Sequence, residues 1–451
     1  MNHRSIQIFQ DTVLRLLHRG AQSNLQKIIE KSHFADIAQV LHLIDQPRDK
    51  KAIFHLASLQ KKAQVLEKLS TEDAISLIED LDFKEIVQIF QKMSSHEVTD
   101  IIGGLPEDIS KELLKLMDTK GSEEIEELLK YHEDSAGGIM STEFCALDKE
   151  TTVGETIQKF HTEVELDNIF YVYVVNREGQ LVGVLSLRKL LQVKPETKIE
   201  DIMISNVIRV KTDADQEEVA KMVQRYNLLA LPVVDENNKL MGIITVDDIV
   251  DVIRKEAEED ILKMGGAGDV EVTERSALKS ARSRLPWLFI SLLAGIVAFK
   301  ILVVFEKTLS SAIALTFFIP LVMGLTGNVA TQASTIVVSG LAHGKIQLKD
   351  LFSILWKELK VGALFGLIYG VIVGAYANIQ YGASLHYLGL VVGGALGISM
   401  ALAALIGSVL PLLFERTHID PALSTGPFVI SVVDVFSVFI FMYLAHLLYA
   451  V

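Results

Sequence analysis

Apolar residues follow three successive spacings along this chain, and each spacing predicts a different kind of element. Between Met1 and Lys130, leucine and isoleucine recur at helical intervals with no strand alternation. Ser70-Thr-Glu-Asp73 and Ser94-Ser-His-Glu97 have the form of capped helix starts 24 residues apart. Pro106-Glu-Asp opens a further helix, since proline is tolerated in a first turn. A short stack of helical hairpins is expected, serving contact rather than chemistry. From residue 131 to 251 the pattern changes. Val174–Leu191 (VVNREGQLVGVLSLRKLL) matches Val233–Val250 (VVDENNKLMGIITVDDIV) at an offset of 59, and each copy reads as strand, turn, strand ending in Gly-x-x-Ser/Thr, then helix. Beyond Arg284 polar positions become rare. Apolar runs at Leu285–Phe305, Ala312–Leu341, Leu359–Ala377, Tyr387–Phe414 and Gly426–Tyr449 are each long enough to cross a ~30 Å hydrocarbon core. The expected fold is therefore multidomain: all-α over 1–130, a tandem α/β pair over 131–251, an acidic connecting helix over 252–283, and five α-helical membrane spans over 284–451.

Charge sharpens the division. Of 43 Lys/Arg and 57 Asp/Glu, Lys279–Val451 holds 10 and 6, so it is net +4 and Met1–Leu278 is net −18. An acidic surface repels nucleic acid and anionic lipid and attracts cations, although solubility alone also explains it. The first twenty residues place charges too often for the apolar core of a secretion signal, so Met1–Leu278 is expected in the cytoplasm. Lys279, Arg282, Arg284, Lys345, Lys349, Lys357, Lys360 and Arg416 flank one side of the spans, against Lys307 and Lys300 on the other. That asymmetry predicts an inside N-terminus, an outside C-terminus and residence in the plasma membrane. The lone Cys145 rules out an intrachain disulfide framework and a multi-cysteine metal cluster.

Candidate chemistry is sparse inside the spans. Asp434 is the one carboxylate in the last run, at a cost of roughly 2.5–3.5 kcal/mol if it is ionised at bilayer depth. Such a group persists where it faces water, a partner or an ion; pairing with a neighbouring helix or simple protonation are the alternatives. The second run carries Pro320, Gly324, Gly327, Asn328 and Gln332, which are expected to weaken helical regularity and expose oxygens. A proline kink with amides bonded between helices explains them equally well. Gly362, Gly366, Gly370 and Gly374, then Gly389, Gly393 and Gly397, form small-residue stripes that read as packing. Asp247, Asp248, Asp251, Glu256, Glu258, Glu259 and Asp260 crowd one probable helix, either as a solvated face or as a cation sensor.

The repeated units, opened by Gly138-Ile-Met140 and Asp201-Ile-Met203, resemble a tandem pair of CBS modules, a fold whose cleft often binds adenosine nucleotides. The resemblance implies a ribose-holding acid three residues after the Ser/Thr. Thr245 and Asp248 keep it, whereas Ser186 is followed by Lys189, so ATP has at most one intact site.

Tyr131-His-Glu-Asp-Ser-Ala-Gly137-Gly-Ile-Met140, Gly327-Asn328 with Gln332, Asp420-Pro-Ala, Gly426-Pro-Phe and Asp434 together resemble the MgtE family of magnesium channels, in domain order from end to end. The resemblance implies a homodimer with a central pore lined at Asp434, Asn328, Gly327 and Gln332. It also implies magnesium at Asp434 and closure by magnesium at Asp100, Asp215, Glu217, Asp248, Asp251, Glu256, Glu259 and Asp260, with Asp420 facing the connecting helix. Departures are His96 and Asn227 where carboxylates are usual, and Thr326, Ala330 and Ser437 where glycines are common. Magnesium prefers oxygen and uses few carboxylates beside retained waters, which one Asp434 per subunit suits. Nothing offers the sulfur or imidazole cluster that zinc or copper favours. The competing readings are an ion-coupled divalent-cation carrier and a membrane-anchored nucleotide sensor. An enzyme is not expected, because Gly340-Leu-Ala-His-Gly344-Lys345 is too short for a phosphate-binding loop.

Overall fold

The computed structural model describes residues 3–163, 171–267, 276–382 and 384–449. Two compact units result, Met1–Ile253 and Arg254–Val451.

The first unit begins with short helices whose starts keep time. Gln46, Ser70, Ser94 and Asp118 are helix N-caps at intervals of 24 residues. Helices alternate between two stacks. Phe34–Leu43, Leu59–Leu66, Phe83–Phe90 and Glu107–Leu116 pack in succession, and so do Pro47–His55, Thr71–Ile78, Ser95–Gly104 and Thr119–Leu128. Ser70 caps as expected, its Oγ accepting from the Asp73 amide at 3.2 Å. Ser94 does not cap through its side chain; its own amide donates instead to Glu67 of the previous repeat at 2.9 Å. The apolar faces meet in one core that includes Leu25, Ile29, Phe54, Leu66, Ile78 and Phe90. Each such fully buried side chain contributes about 1.5–3 kcal/mol.

The matched segments fold alike. Strands β1 (Ala146–Asp148), β2 (Tyr171–Val175) and β3 (Leu181–Ser186) form one sheet, parallel then antiparallel; β4 (Val210–Lys211), β5 (Ala230–Val234) and β6 (Leu240–Thr245) form the other in the same order. Register is preserved too, with Val174 opposite Gly183 and Val233 opposite Gly242. Both glycines make room for a methionine. A Cβ on Gly242 would lie 2.8 Å from the Met140 sulfur, and one on Gly183 would be 2.9 Å from Met203 Cγ. The Gly-Ile-Met and Asp-Ile-Met strings thus seat each module's opening segment on a strand.

In the second unit five helices are long and apolar enough to cross a membrane: Ala277–Val304, Leu315–Ala342, Leu351–Tyr381, Leu388–Arg416 and Gly426–Tyr449. The fourth packs on the second, third and fifth, and the first packs on the fifth. Glycine stripes bring the third and fourth backbones together: a Cβ on Gly370 would lie 2.6 Å from the Gly393 carbonyl oxygen, and one on Gly374 2.6 Å from that of Gly389. Two expectations change. The acidic helix runs Val246–Met264 and stops at Gly265-Gly266, where Gly266 has φ +68, instead of continuing to residue 283. Residues 268–275 of the expected connecting helix lie outside the described residues. The second span remains one helix through Pro320, Gly324 and Gly327, since a proline near the start of a helix removes few bonds. Its outward polar groups are therefore side chains rather than freed carbonyls.

Candidate functional site

The second span carries a polar stripe along an otherwise apolar helix. Asn328, Thr331, Gln332, Thr335 and Ile336 line a groove of about 350 Å³, with Asn328, Gln332 and Thr335 exposed. The fifth span meets this helix one step away. Ile430 is the side chain nearest to a Cβ placed on Gly327, at 3.6 Å, and Ser437 Oγ donates to Thr326 Oγ1 at 3.0 Å. Asp434 lies between them at helical spacing and so shares the face of Ile430 and Ser437. Its Oδ1 is buried, with no hydrogen-bond partner among the described residues. A carboxylate oxygen left without a donor in a low-dielectric interior is a strong acceptor awaiting a cation or water. Gly327 itself is buried against the fifth span, not on the groove.

Asp248, Asp251, Glu217, Glu259 and Asp420, also singled out in the sequence, are met by histidine or lysine side chains. Asp248 Oδ2 accepts from the Thr245 amide at 3.2 Å and the Thr245 hydroxyl at 2.6 Å, while Oδ1 faces His96 Nε2 at 3.6 Å. Burial alone would raise the Asp248 carboxyl pKa; His96 and the two Thr245 donors outweigh it and hold the pKa below the ordinary value. Asp251 pairs with Lys68 at 3.0 Å and Glu217 with Lys221 at 2.7 Å. Asp215 caps helix Gln216–Tyr226, accepting from the Glu217 amide at 2.8 Å. Lys263 touches Glu259 and, at 2.8 Å, Asp420, whose other oxygen caps the Ala422 amide at 2.8 Å. Burial lowers the Lys263 pKa, but the hydrogen bonds from Asp420 and Glu259 more than reverse that, so the ammonium is firmly charged. Asp100 sits on Ser95–Gly104, and Glu256 and Asp260 on Val246–Met264. Next to His96, burial pushes Glu97 up to about 7, with His96 opposing and Asp100 and Glu67 reinforcing.

Among the described residues no three of His, Cys, Asp and Glu converge as a metal cage. The described residues of a single chain therefore do not by themselves form a complete magnesium cage. Asp248 is likewise committed to Thr245 and His96, so a nucleotide ribose would have to compete for it. Sequence reasoning missed the counter-ions Lys68, Lys221 and Lys263. Only Lys221 and Lys263 carried a signal, each lying four residues after its glutamate. Asn227, where a carboxylate is usual, caps its helix in the left-handed region (φ 50, ψ 48), which asparagine adopts readily. Ala330 packs on Gly407, where a Cβ would lie 3.1 Å from Ala330 Cα.

Comparison with known proteins covers the chain piecewise and whole. The family MgtE, described as a divalent cation transporter, matches residues 319–444; the MgtE intracellular N domain matches 32–134; CBS domains match 136–196 and 199–255. The magnesium transporter MgtE of Thermus thermophilus is 34% identical over 441 residues, covering 96% of each chain. That of Bacillus subtilis is 33% identical over 409 residues, covering 88% of this chain and 90% of its own. Among solved structures, the cytosolic domain of the Mg2+ channel MgtE in complex with ATP superposes with a TM-score of 0.51 at 33% identity, covering 54% of this chain and 99% of that one.

Proposed function

The chain belongs to the MgtE family of divalent cation transporters, and on that premise we propose that it conducts magnesium across a membrane through a pathway at Asp434. The observation carrying this reading is the buried Asp434 Oδ1, which has no donor among the described residues, beside a helix that lines a groove with Asn328, Thr331, Gln332 and Thr335. An amide and hydroxyl stripe facing hydrocarbon would be costly, so it is best met by water or by a second copy of the chain. In a homodimer the two carboxylates would share one hydrated route. Magnesium keeps most of its waters and needs only one or two carboxylates, so each Asp434 acts as an outer or single inner ligand rather than part of a cage. Asn328 and Gln332 supply oxygens to the ion's water shell.

The net −18 region lies on the cytosolic side of the plasma membrane in this proposal, with the C-terminus outside, as the excess of Lys and Arg in the loops favours. Cytosolic magnesium accumulates at that acidic surface and closes the pathway by relieving repulsion among its carboxylates. ATP is bound by the similar cytosolic domain, but here Asp248 is already engaged.

The test is magnesium uptake into proteoliposomes without proton or sodium gradients, comparing wild type with Asp434→Asn. Wild-type uptake should proceed, Asp434→Asn should fall at least tenfold, and millimolar magnesium on the cytosolic face should suppress the wild type. Undiminished uptake by Asp434→Asn removes the pathway; wild-type uptake that requires an ion gradient replaces the channel with a coupled carrier.

A further inference from the structure

Ser437, one helical turn after Asp434, meets a second buried hydroxyl, that of Thr326, 111 residues away in the sequence. Ser437 Oγ donates to Thr326 Oγ1 at 3.0 Å, and Thr326 Oγ1 donates in turn to the Val322 carbonyl of its own helix at 2.8 Å. Thr326 and Ser437 are 0% and 1% exposed, so water does not compete for these bonds. Both hydroxyl protons are used, and the chain of bonds ends on a backbone carbonyl that cannot rotate away. This is a fully satisfied polar link in an interface otherwise packed by Val322, Val329, Val433 and Val438, where slippage would cost little directional energy. Ser437 follows Asp434 by three positions, and Thr326 precedes Gly327 and Asn328 directly, so the link lies at the level of the proposed pathway.

We propose that Thr326 and Ser437 are positioning residues: their hydroxyl bond fixes the fifth span against the second and so sets where the Asp434 carboxylate stands relative to Asn328. The inference rests on the pathway reading above and adds a specificity determinant to it. Magnesium dehydrates reluctantly and keeps a near-ideal octahedral shell at about 2.0–2.1 Å, so a carboxylate that meets this shell must stand at one distance, whereas calcium accepts 2.3–2.6 Å and irregular coordination. A carboxylate held at one height favours the stricter ion. One allowed to wander by a few tenths of an ångström loses magnesium affinity more than calcium affinity.

The experiment measures initial uptake of magnesium, with calcium as competitor, by full-length protein in proteoliposomes. Thr326→Val keeps the shape and removes the hydroxyl, Ser437→Ala removes the other partner, and Thr326→Ser restores a hydroxyl at the same position. Thr326→Val and Ser437→Ala should each raise the half-saturating magnesium concentration at least threefold and lower the preference for magnesium over calcium by a similar factor. The double variant should be no worse than either single one, and Thr326→Ser should stay within twofold of wild type on both measures. A purely structural role would lower thermal stability and leave the ion preference unchanged; that result, or a double variant showing the product of the single effects, overturns the proposal. Asp434→Asn runs alongside. If it transports normally, the pathway reading falls and the positioning role with it. If it is silent while Thr326→Val and Ser437→Ala keep wild-type preference, only the positioning role falls.

Discussion

Lys263 offers a perturbation whose size follows from geometry. Its ammonium stands 2.8 Å from Asp420 Oδ2 and also touches Glu259, tying the end of the acidic helix to the turn before the fifth span. Exposed ion pairs contribute about 0–1 kcal/mol, and hydrogen bonds to charged groups about 1.5–3 kcal/mol. With the lysine and aspartate side chains 19% and 33% exposed, the link falls between these limits, at roughly 1–2 kcal/mol. Lys263→Met keeps the aliphatic stem but leaves Asp420 and Glu259 facing each other without a cation. A loss of ~1.4 kcal/mol is tenfold in an equilibrium, so the helix end should detach about ten times more often. Hydrogen–deuterium exchange on full-length protein reads this directly. Amides of Ala422 and its neighbours should exchange about tenfold faster in Lys263→Met and near the wild-type rate in Lys263→Arg. Exchange within twofold of wild type in Lys263→Met would refute the reasoning, because it would mean the pair carries no net free energy.

Other outcomes follow from the same geometry. Asp434→Asn should cut magnesium uptake at least tenfold while leaving yield and oligomeric state unchanged, measured in proteoliposomes. Gly370→Leu drives a side chain into the Gly393 carbonyl, which as backbone cannot yield, so monodisperse protein recovered in detergent should fall severalfold. Glu97, raised by burial to about 7 against an ordinary value of 4.5, favours the folded state while protonated. That contribution is present at low pH and lost as pH rises through about 7, so melting in chelator should show destabilisation between pH 5 and 8. Glu97→Gln should flatten the trend, and an unchanged slope would exclude Glu97 as its source. Thr326→Val should shift ion preference as described above.

Much of the architecture could be read locally. Five long apolar runs with at most one charge each announce five spans, because an unpaired charge in hydrocarbon is costly, and the offset of 59 announces two like modules because the same string makes the same strand pair. The 24-residue beat was visible at Ser70 and Ser94 but not at Gln46, a residue type that seldom caps, or at Asp118, which has a glycine instead of an acid three residues on. Asp434 stood out for a similar reason, being alone in its run.

Pairings were another matter. Nothing near Thr326 hints at Ser437, nor anything near Lys68 at Asp251, since a hydroxyl or an ammonium is chemically at ease beside many partners. The uninterrupted second span likewise went against its proline and glycines. Pro320 lies near the helix start, where it removes few bonds, and a glycine preference of about 1 kcal/mol yields to packing when a neighbouring helix supplies the missing contacts. Apolarity and spacing are properties of a stretch of chain and survive without its surroundings. Which oxygen meets which cation depends on distances that exist only once the helices have closed upon one another.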